Sequence, residues 1–134
     1  MTVIVRRTAA SAAFFDAAEA GALLLSVCDD CGTARGPLDE ACPECRAVAA
    51  HGLRARGDAT LVSWTVVHRA MLPSLSTPYT VGLVELGEGP WILVRLVVAA
   101  DAALHVGDRM TLVALAAPEG GEALIAAAPA GGAA

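Results

Sequence analysis

Cys28-Asp29-Asp30-Cys31-Gly32 and Cys42-Pro43-Glu44-Cys45 are two C-x-x-C pairs separated by ten residues, and together they use all four cysteines of the chain. Each pair can close a tight knuckle that offers two thiolates to one ion, and two knuckles complete a tetrahedral set. Gly32 follows the first knuckle, where the chain often needs a positive φ, and Pro43 stiffens the second. The expected occupant is a structural zinc ion held by Cys28, Cys31, Cys42 and Cys45. Four thiolates leave no coordination position for water, which argues against a catalytic metal.

Three other uses of four cysteines are open to comparison. A disulfide framework belongs with a secretory leader. The N-terminus instead reads Met1-Thr2-Val3-Ile4-Val5 before Arg6-Arg7, with the charge after a short apolar stretch and not before a long one. A redox C-x-x-C uses a single pair beside a βαβ unit. A rubredoxin-like iron site is compatible with the C-P-x-C knuckle, but the short spacing between the pairs favours a zinc ribbon. The expected setting is therefore a reducing, cytoplasmic one.

At 134 residues the chain suits one ordinary domain, or a small metal module joined to a small barrel. A hydrophobic content of 56% and a mean hydropathy of +0.60 would suit a membrane protein, yet much of that content is alanine. The longest apolar stretch, residues 91–104, is broken by Arg95 and Asp101 and is too short to span a bilayer. Fourteen acidic against nine basic residues give a net charge of −5, which does not favour a phosphate backbone as main partner.

Working outward from the cysteines, residues 1–25 form an N-terminal segment whose stretch 8–25 reads as helical. Phe14, Phe15, Ala18 and Ala22 recur near helical spacing, Asp16 and Glu19 fall on the other side, and Gly21 marks the end. Residues 26–48 are the ribbon, with Gly36-Pro37 turning the chain between knuckles. Residues 46–56 carry little periodicity and suit a connector. From residue 57 the signals are those of strands: Thr60, Val62, Trp64, Thr65, Val66 and Val67 make a β-prone run. Leu72-Pro73-Ser74-Leu75-Ser76-Thr77-Pro78 must be a loop. Further strands are expected at 79–86, 91–98, 110–115 and 123–127, separated by Gly87-Glu88-Gly89-Pro90, Val106-Gly107-Asp108 and Pro118-Glu119-Gly120-Gly121-Glu122. The fold expected is mainly β: an N-terminal helix, a rubredoxin-like zinc ribbon, then a small five-stranded OB-fold barrel over 57–129, with a disordered tail at 130–134.

Few side chains suggest independent catalysis. His51, His68 and His105 are the only histidines, and no serine or metal-free cysteine lies near one in sequence. His68 reads first as a strand-end residue, and His51 and His105 as solvated. Glu85 suits an outward strand position better than an acid or base. Trp64 and Trp91 suit core or interface anchors, and Arg46, Arg54 and Arg56 a solvated connector.

The order of parts resembles the acyl-CoA-associated zinc-ribbon/OB-fold family, proteins long known as a domain of unknown function. Phe14-Phe15 with Gly21-Ala22-Leu23, Cys28-x-x-Cys31-Gly32, Pro37, Cys42-Pro43-x-Cys45, Ser63-Trp64-Thr65-Val66-Val67-His68, Pro78-Tyr79, Val84-Glu85 and Val106-Gly107 carry the likeness over residues 10–129. Three departures are Arg46, where the family usually has glycine, Gly57-Asp58-Ala59, where a G-x-G is common, and Ala126-Ala127-Ala128-Pro129, which lacks the usual aromatic residue. The resemblance implies a non-catalytic subunit of a thiolase-superfamily enzyme, a thiolase, acyltransferase or aldolase acting on acyl-CoA, and hence a hetero-oligomer. It implies coenzyme A or acyl-CoA as ligand of that complex. With acyl-CoA as substrate class, residues 71–78 are stiff and apolar enough to line a channel, and His68, Arg69 and Tyr79 bracket them as candidate substrate-binding residues. Phe14, Phe15, Leu72 and Leu75 are the apolar residues expected to meet the partner. The alternatives are a nucleic-acid-binding ribbon and OB-fold, which the acidic charge and few aromatics disfavour, and a free-standing acyl-CoA hydrolase, which lacks a nucleophile–base pair.

Overall fold

In the computed structural model, residues 4–37, 39–73, 75–117 and 119–131 are described. Ser74 of the expected loop, Pro118 of the expected last turn and residues 132–134 of the expected tail lie outside them.

A single helix, α1 (Ala12–Glu19), opens the fold. It stops well short of residue 25 because Gly21 takes φ 87° beyond its end. The N–H of Gly21 then reaches Ala18 O at 2.9 Å and that of Ala22 reaches Ala17 O at 2.8 Å, a Schellman closure. The chain leaves that closure extended, so Leu24 and Leu25 lie in a strand and not in the helix. Strands β1 (Leu24–Cys28), β2 (Ala34–Arg35) and β3 (Ala50–Arg54) form an antiparallel sheet in the order β2-β1-β3. The presence of β3 corrects the connector reading of residues 46–56: all five of its residues pair with β1, from Ala50 opposite Cys28 to Arg54 opposite Leu24. Its side chains are exposed or half-buried, so it shows none of the apolar alternation by which a strand is recognised.

Strands β4 (Asp58–Val67), β5 (Tyr79–Leu86), β6 (Trp91–Leu96), β7 (Arg109–Leu115) and β8 (Leu124–Pro129) close into a barrel of order β4-β5-β6-β8-β7. β5 shows why: Thr80, Gly82, Val84 and Leu86 are buried while Glu85 points out, the period of a half-buried strand. Every pairing is antiparallel except β6 with β8, which is parallel and holds a single register pair, Leu96 opposite Ala127. The barrel therefore has one thin seam.

Leu61, Val84, Leu86, Val94, Leu96, Met110 and Ala127 fill the barrel, and Leu23 and Leu25 beside the knuckles belong to the same buried cluster. Leu23 and Leu25 thus tie the start of the ribbon sheet to the barrel's buried cluster. The N-terminal segment is tied on at a second point, where Arg7 bonds the carboxylates of Asp16 and Glu122 and Val5 O accepts the Glu122 N–H. Arg7 holds the Glu122 carboxyl below its usual range.

Candidate functional site

The two knuckles repeat one geometry. In the first, Gly32 N–H donates to Cys28 O at 3.0 Å and Cys28 N–H to Thr33 O at 2.9 Å; in the second, Arg46 N–H donates to Cys42 O at 2.9 Å and Cys42 N–H to Ala47 O at 2.8 Å. The residue after each C-x-x-C turns with positive φ, 75° at Gly32 and 66° at Arg46. Arg46 is the only non-glycine residue of this kind among those described. A left-handed conformation costs an L-residue about 1–2 kcal/mol, while glycine there costs about 0.5–1 kcal/mol in added freedom of the unfolded chain. Arg46→Gly is therefore expected to stabilise the protein by about 0.5–1 kcal/mol, visible as a higher midpoint in urea. An unchanged or lower midpoint would show that the Arg46 side chain offsets its own backbone strain.

Cys28 and Cys42 are buried at 1% and 2% exposure, while Cys31 and Cys45 face outward. All four sulfurs lie within 4.8 Å of one another, with Cys28 to Cys45 and Cys31 to Cys42 each at 3.5 Å. A disulfide needs about 2.05 Å. Four sulfurs each about 2.3 Å from a tetrahedral zinc stand about 3.8 Å apart, close to what is found. The titration of the cluster points the same way. Cys31 is drawn down to about 6, first by the Thr33 hydroxyl and then by the Thr33 N–H. The Ala47 N–H pulls Cys45 down, yet the neighbouring sulfurs, Cys28 first, push it up to about 12. Four sulfurs this close cannot all be thiolates unaided, whereas a dication at their centre allows it. The residues fit a structural metal ion, which when bound supplies cross-linking and no open site for chemistry.

Three neighbours, none of them read from the sequence as a partner of the cluster, brace it. Arg35, buried at 3% exposure on β2, donates to Val48 O at 2.7 Å and Ala47 O at 3.3 Å, which pins the exit of the second knuckle. Thr33 Oγ1 lies 3.2 Å from Cys31 Sγ. His51, expected to be merely solvated, has its Nδ1 2.6 Å from Asp29 Oδ1 inside the first knuckle. The Thr33 contact is local, but those of Arg35 and His51 join segments distant in sequence, a pairing no local pattern announces.

The other candidates do not gather at the metal. Tyr79, half-buried at the start of β5, carries the Arg95 guanidinium over its ring at 5.2 Å. It lines a cleft of about 950 Å³ bounded by α1, the turn after β2, β6 and the ends of β7 and β8. His68 and Arg69 are exposed just past β4 and are not among its lining residues. His105 is exposed, its backbone N–H donating to Asp108. Trp64 and Trp91 are exposed at 36% and 55%, so neither is a core residue. Phe15 is buried at 8%, and the exposed large apolar residues include Val48, Met71, Leu72, Trp91, Leu93 and Val106. No described helix is long and apolar enough to cross a membrane.

Comparison with known proteins places these parts. The model of the ChsH2 rubredoxin-like zinc ribbon domain matches residues 15–49, and that of the ChsH2 C-terminal OB-fold domain matches residues 54–115. A solved structure described as the Ltp2-ChsH2(DUF35) aldolase superposes with a TM-score of 0.79 at 31% identity, covering 92% of this chain and 97% of that one. A protein of unknown function from the DUF35 family of Sulfolobus solfataricus shares the fold, with a TM-score of 0.59 at 19% identity over 78% of this chain and 77% of that one. A protein called "Probable enoyl-CoA hydratase alpha subunit", from Thermomonospora curvata, is 33% identical over 102 residues. That match takes in 76% of this chain but only 32% of the relative, so the chain spans about a third of that relative's length. Two domain models in the right order, and near-complete coverage of a solved relative above 30% identity, lead to one conclusion: the chain belongs to the ChsH2 (DUF35) family of rubredoxin-like zinc-ribbon/OB-fold proteins.

Proposed function

We propose that this protein is a non-catalytic accessory subunit of a thiolase-superfamily enzyme acting on acyl-CoA, cytoplasmic, braced by a structural zinc, and aiding both assembly and acyl-CoA binding. The observation that carries the reading is the 97% coverage of a relative described as part of a two-component aldolase, at 31% identity. The surface supports it. Met71, Leu93 and Val106 are exposed at 96%, 75% and 73%, more large apolar surface than a solitary chain of this size needs to show. The four cysteines are taken up by the metal cluster, and the three histidines are exposed, which leaves little for independent acyl transfer.

Co-expression with a thiolase-like protein is expected to give one species in size-exclusion chromatography, and this chain alone is expected to be poorly soluble. Independent elution of the two chains at micromolar concentration would sink the proposal. Within such a complex, His68, Arg69 and Tyr79 are the proposed substrate contacts. His68→Ala and Tyr79→Ala should then raise KM or lower kcat with assembly intact, whereas a docking role would weaken assembly instead. Normal assembly with wild-type kcat and KM in both variants would remove these residues from substrate binding.

One observation favours a second partner class. The relative from Thermomonospora curvata is called an enoyl-CoA hydratase subunit, and this chain corresponds to a third of it. A hydratase co-purifying in place of a thiolase-like enzyme would decide for that reading.

A further inference from the structure

The barrel closes on only part of its first strand. β4 is 10 residues long, yet β7 pairs with it only over Asp58–Thr60. The turn before β7 covers one residue more: Leu61 N–H donates to Asp108 O at 2.9 Å, and Leu61 O accepts the Gly107 N–H at 2.8 Å. A register shift between Leu61 and Ser63 then re-aims β4, and from there to Val67 its sole strand partner among the described residues is β5.

The phase of the hydrogen bonds fixes what this edge offers. Leu86 N–H donates to Pro90 O at 2.9 Å, so alternate residues of β5, Gly82 and Val84 among them, turn their backbone groups to β6. Val81 and Leu83 turn theirs to β4, opposite Thr65 and Ser63. Trp64 and Val66 are left with N–H and C=O directed outward, and no backbone partner meets them among the described residues. Open edges are normally guarded by lysine, proline or an inward-pointing charge. The stretch from Thr60 to Val67 holds neither a charge nor a proline. Nor is it covered, since Ser63 and Thr65 are exposed and Trp64 is 36% exposed.

We propose that a second copy of this chain closes the edge, β4 against β4, antiparallel, with the two-fold axis at Thr65. In that register the strand is its own complement. Trp64 faces Val66 of the second copy and Val66 faces its Trp64, each pair exchanging two backbone hydrogen bonds. On the other face of the strand Thr65 meets its own copy. Aromatic with β-branched and threonine with threonine are favourable cross-strand pairs, and no like charges are opposed. The register uses both open residues and stops short of the turn at Gly107. It involves neither the cleft nor a thiolase-like partner, and so stands apart from the accessory-subunit reading.

Sedimentation equilibrium of the zinc-loaded full chain at micromolar concentrations is the test. A reversible dimer, twice the 13.5 kDa chain, is expected. Thr65→Lys sets two like charges face to face across the axis and should raise the dimer Kd at least about tenfold. The site is exposed, so zinc content and Tm should match those of the natural chain. Cysteine pairing reads the register separately. Two residues 65 on the axis form a non-hydrogen-bonded pair with Cα atoms about 4.5 Å apart, within reach of a disulfide. Zinc-loaded Thr65→Cys should therefore cross-link into a dimer under mild oxidation, whereas Ser63→Cys, whose copy lies four residues away along the pair, should not. A chain monomeric throughout overturns the proposal, as does a dimer unaffected by Thr65→Lys or cross-linking of Thr65→Cys no stronger than that of Ser63→Cys. A monomer whose Thr65→Lys variant no longer assembles with a thiolase-like protein also overturns it, and gives the edge to a strand of that protein.

Discussion

Cys42→Ser is expected to strip the metal and unfold the ribbon, not merely to loosen a loop. Binding of a structural zinc by four thiolates contributes on the order of 10 kcal/mol to folding. A whole domain retains only about 5–15 kcal/mol of net stability, so losing the metal removes most or all of it. Cys42 is buried, and its N–H and C=O both close the second knuckle, through Ala47 and Arg46. Serine supplies a hard, poorly ionised oxygen in place of a thiolate, leaving three soft donors and one cavity. Elemental analysis should give one zinc per chain for the natural sequence and far less for the variant. Less than about half a zinc per natural chain, with no iron in its place, counts decisively against the site. So does a Cys42→Ser protein that melts with the natural one.

The metal set was legible because its constraint is local. Two C-x-x-C pairs state both the donors and the turns that present them, and Gly32 at φ 75° is where the first turn requires it. The barrel was legible for a different reason: β-prone runs such as 79–86 are bounded by turn residues such as Gly87-Glu88-Gly89-Pro90, whereas the alternation of β5 shows in burial and not in its sequence, since Val81 and Leu83 are apolar on the outer face. What stayed hidden depends on pairing between distant segments. β3 is an edge strand whose five residues are held by β1 and bury little, so neither propensity nor periodicity marks it. Arg35 becomes a brace only because the chain returns with Ala47 and Val48 in front of it. The cleft has the same origin. Its walls come from α1, the ribbon turn, β6 and β8, and Tyr79, singled out for flanking a loop, gains its neighbour Arg95 only through the β5–β6 register.

Leu25→Ala is expected to destabilise the barrel as much as the ribbon that contains it. Leu25 sits on β1, three residues before the first metal ligand, yet it is only 1% exposed and belongs to the buried cluster of Leu61, Val84, Leu86 and Met110. Truncating a fully buried leucine costs about 2–5 kcal/mol, the lost transfer energy plus the cavity left behind. For a domain of this size each kcal/mol lowers Tm by several degrees, so a fall of about 10 °C or more is expected. The diagnostic point is where the fall appears. Trp64 and Trp91 are in barrel strands and Leu25 is not, but Trp91 borders ribbon residues such as Thr33 and Gly36, so the fluorescence is read in a Trp91→Phe background, where Trp64 reports the barrel. If ribbon and barrel share one core, the fluorescence midpoint drops together with the temperature at which zinc is released to a chelator. If they are separate folding units, Leu25→Ala releases zinc early while the fluorescence transition stays where it was. The shared cluster argues for the first outcome, since Leu25 belongs to the same buried cluster as the residues that fill the barrel.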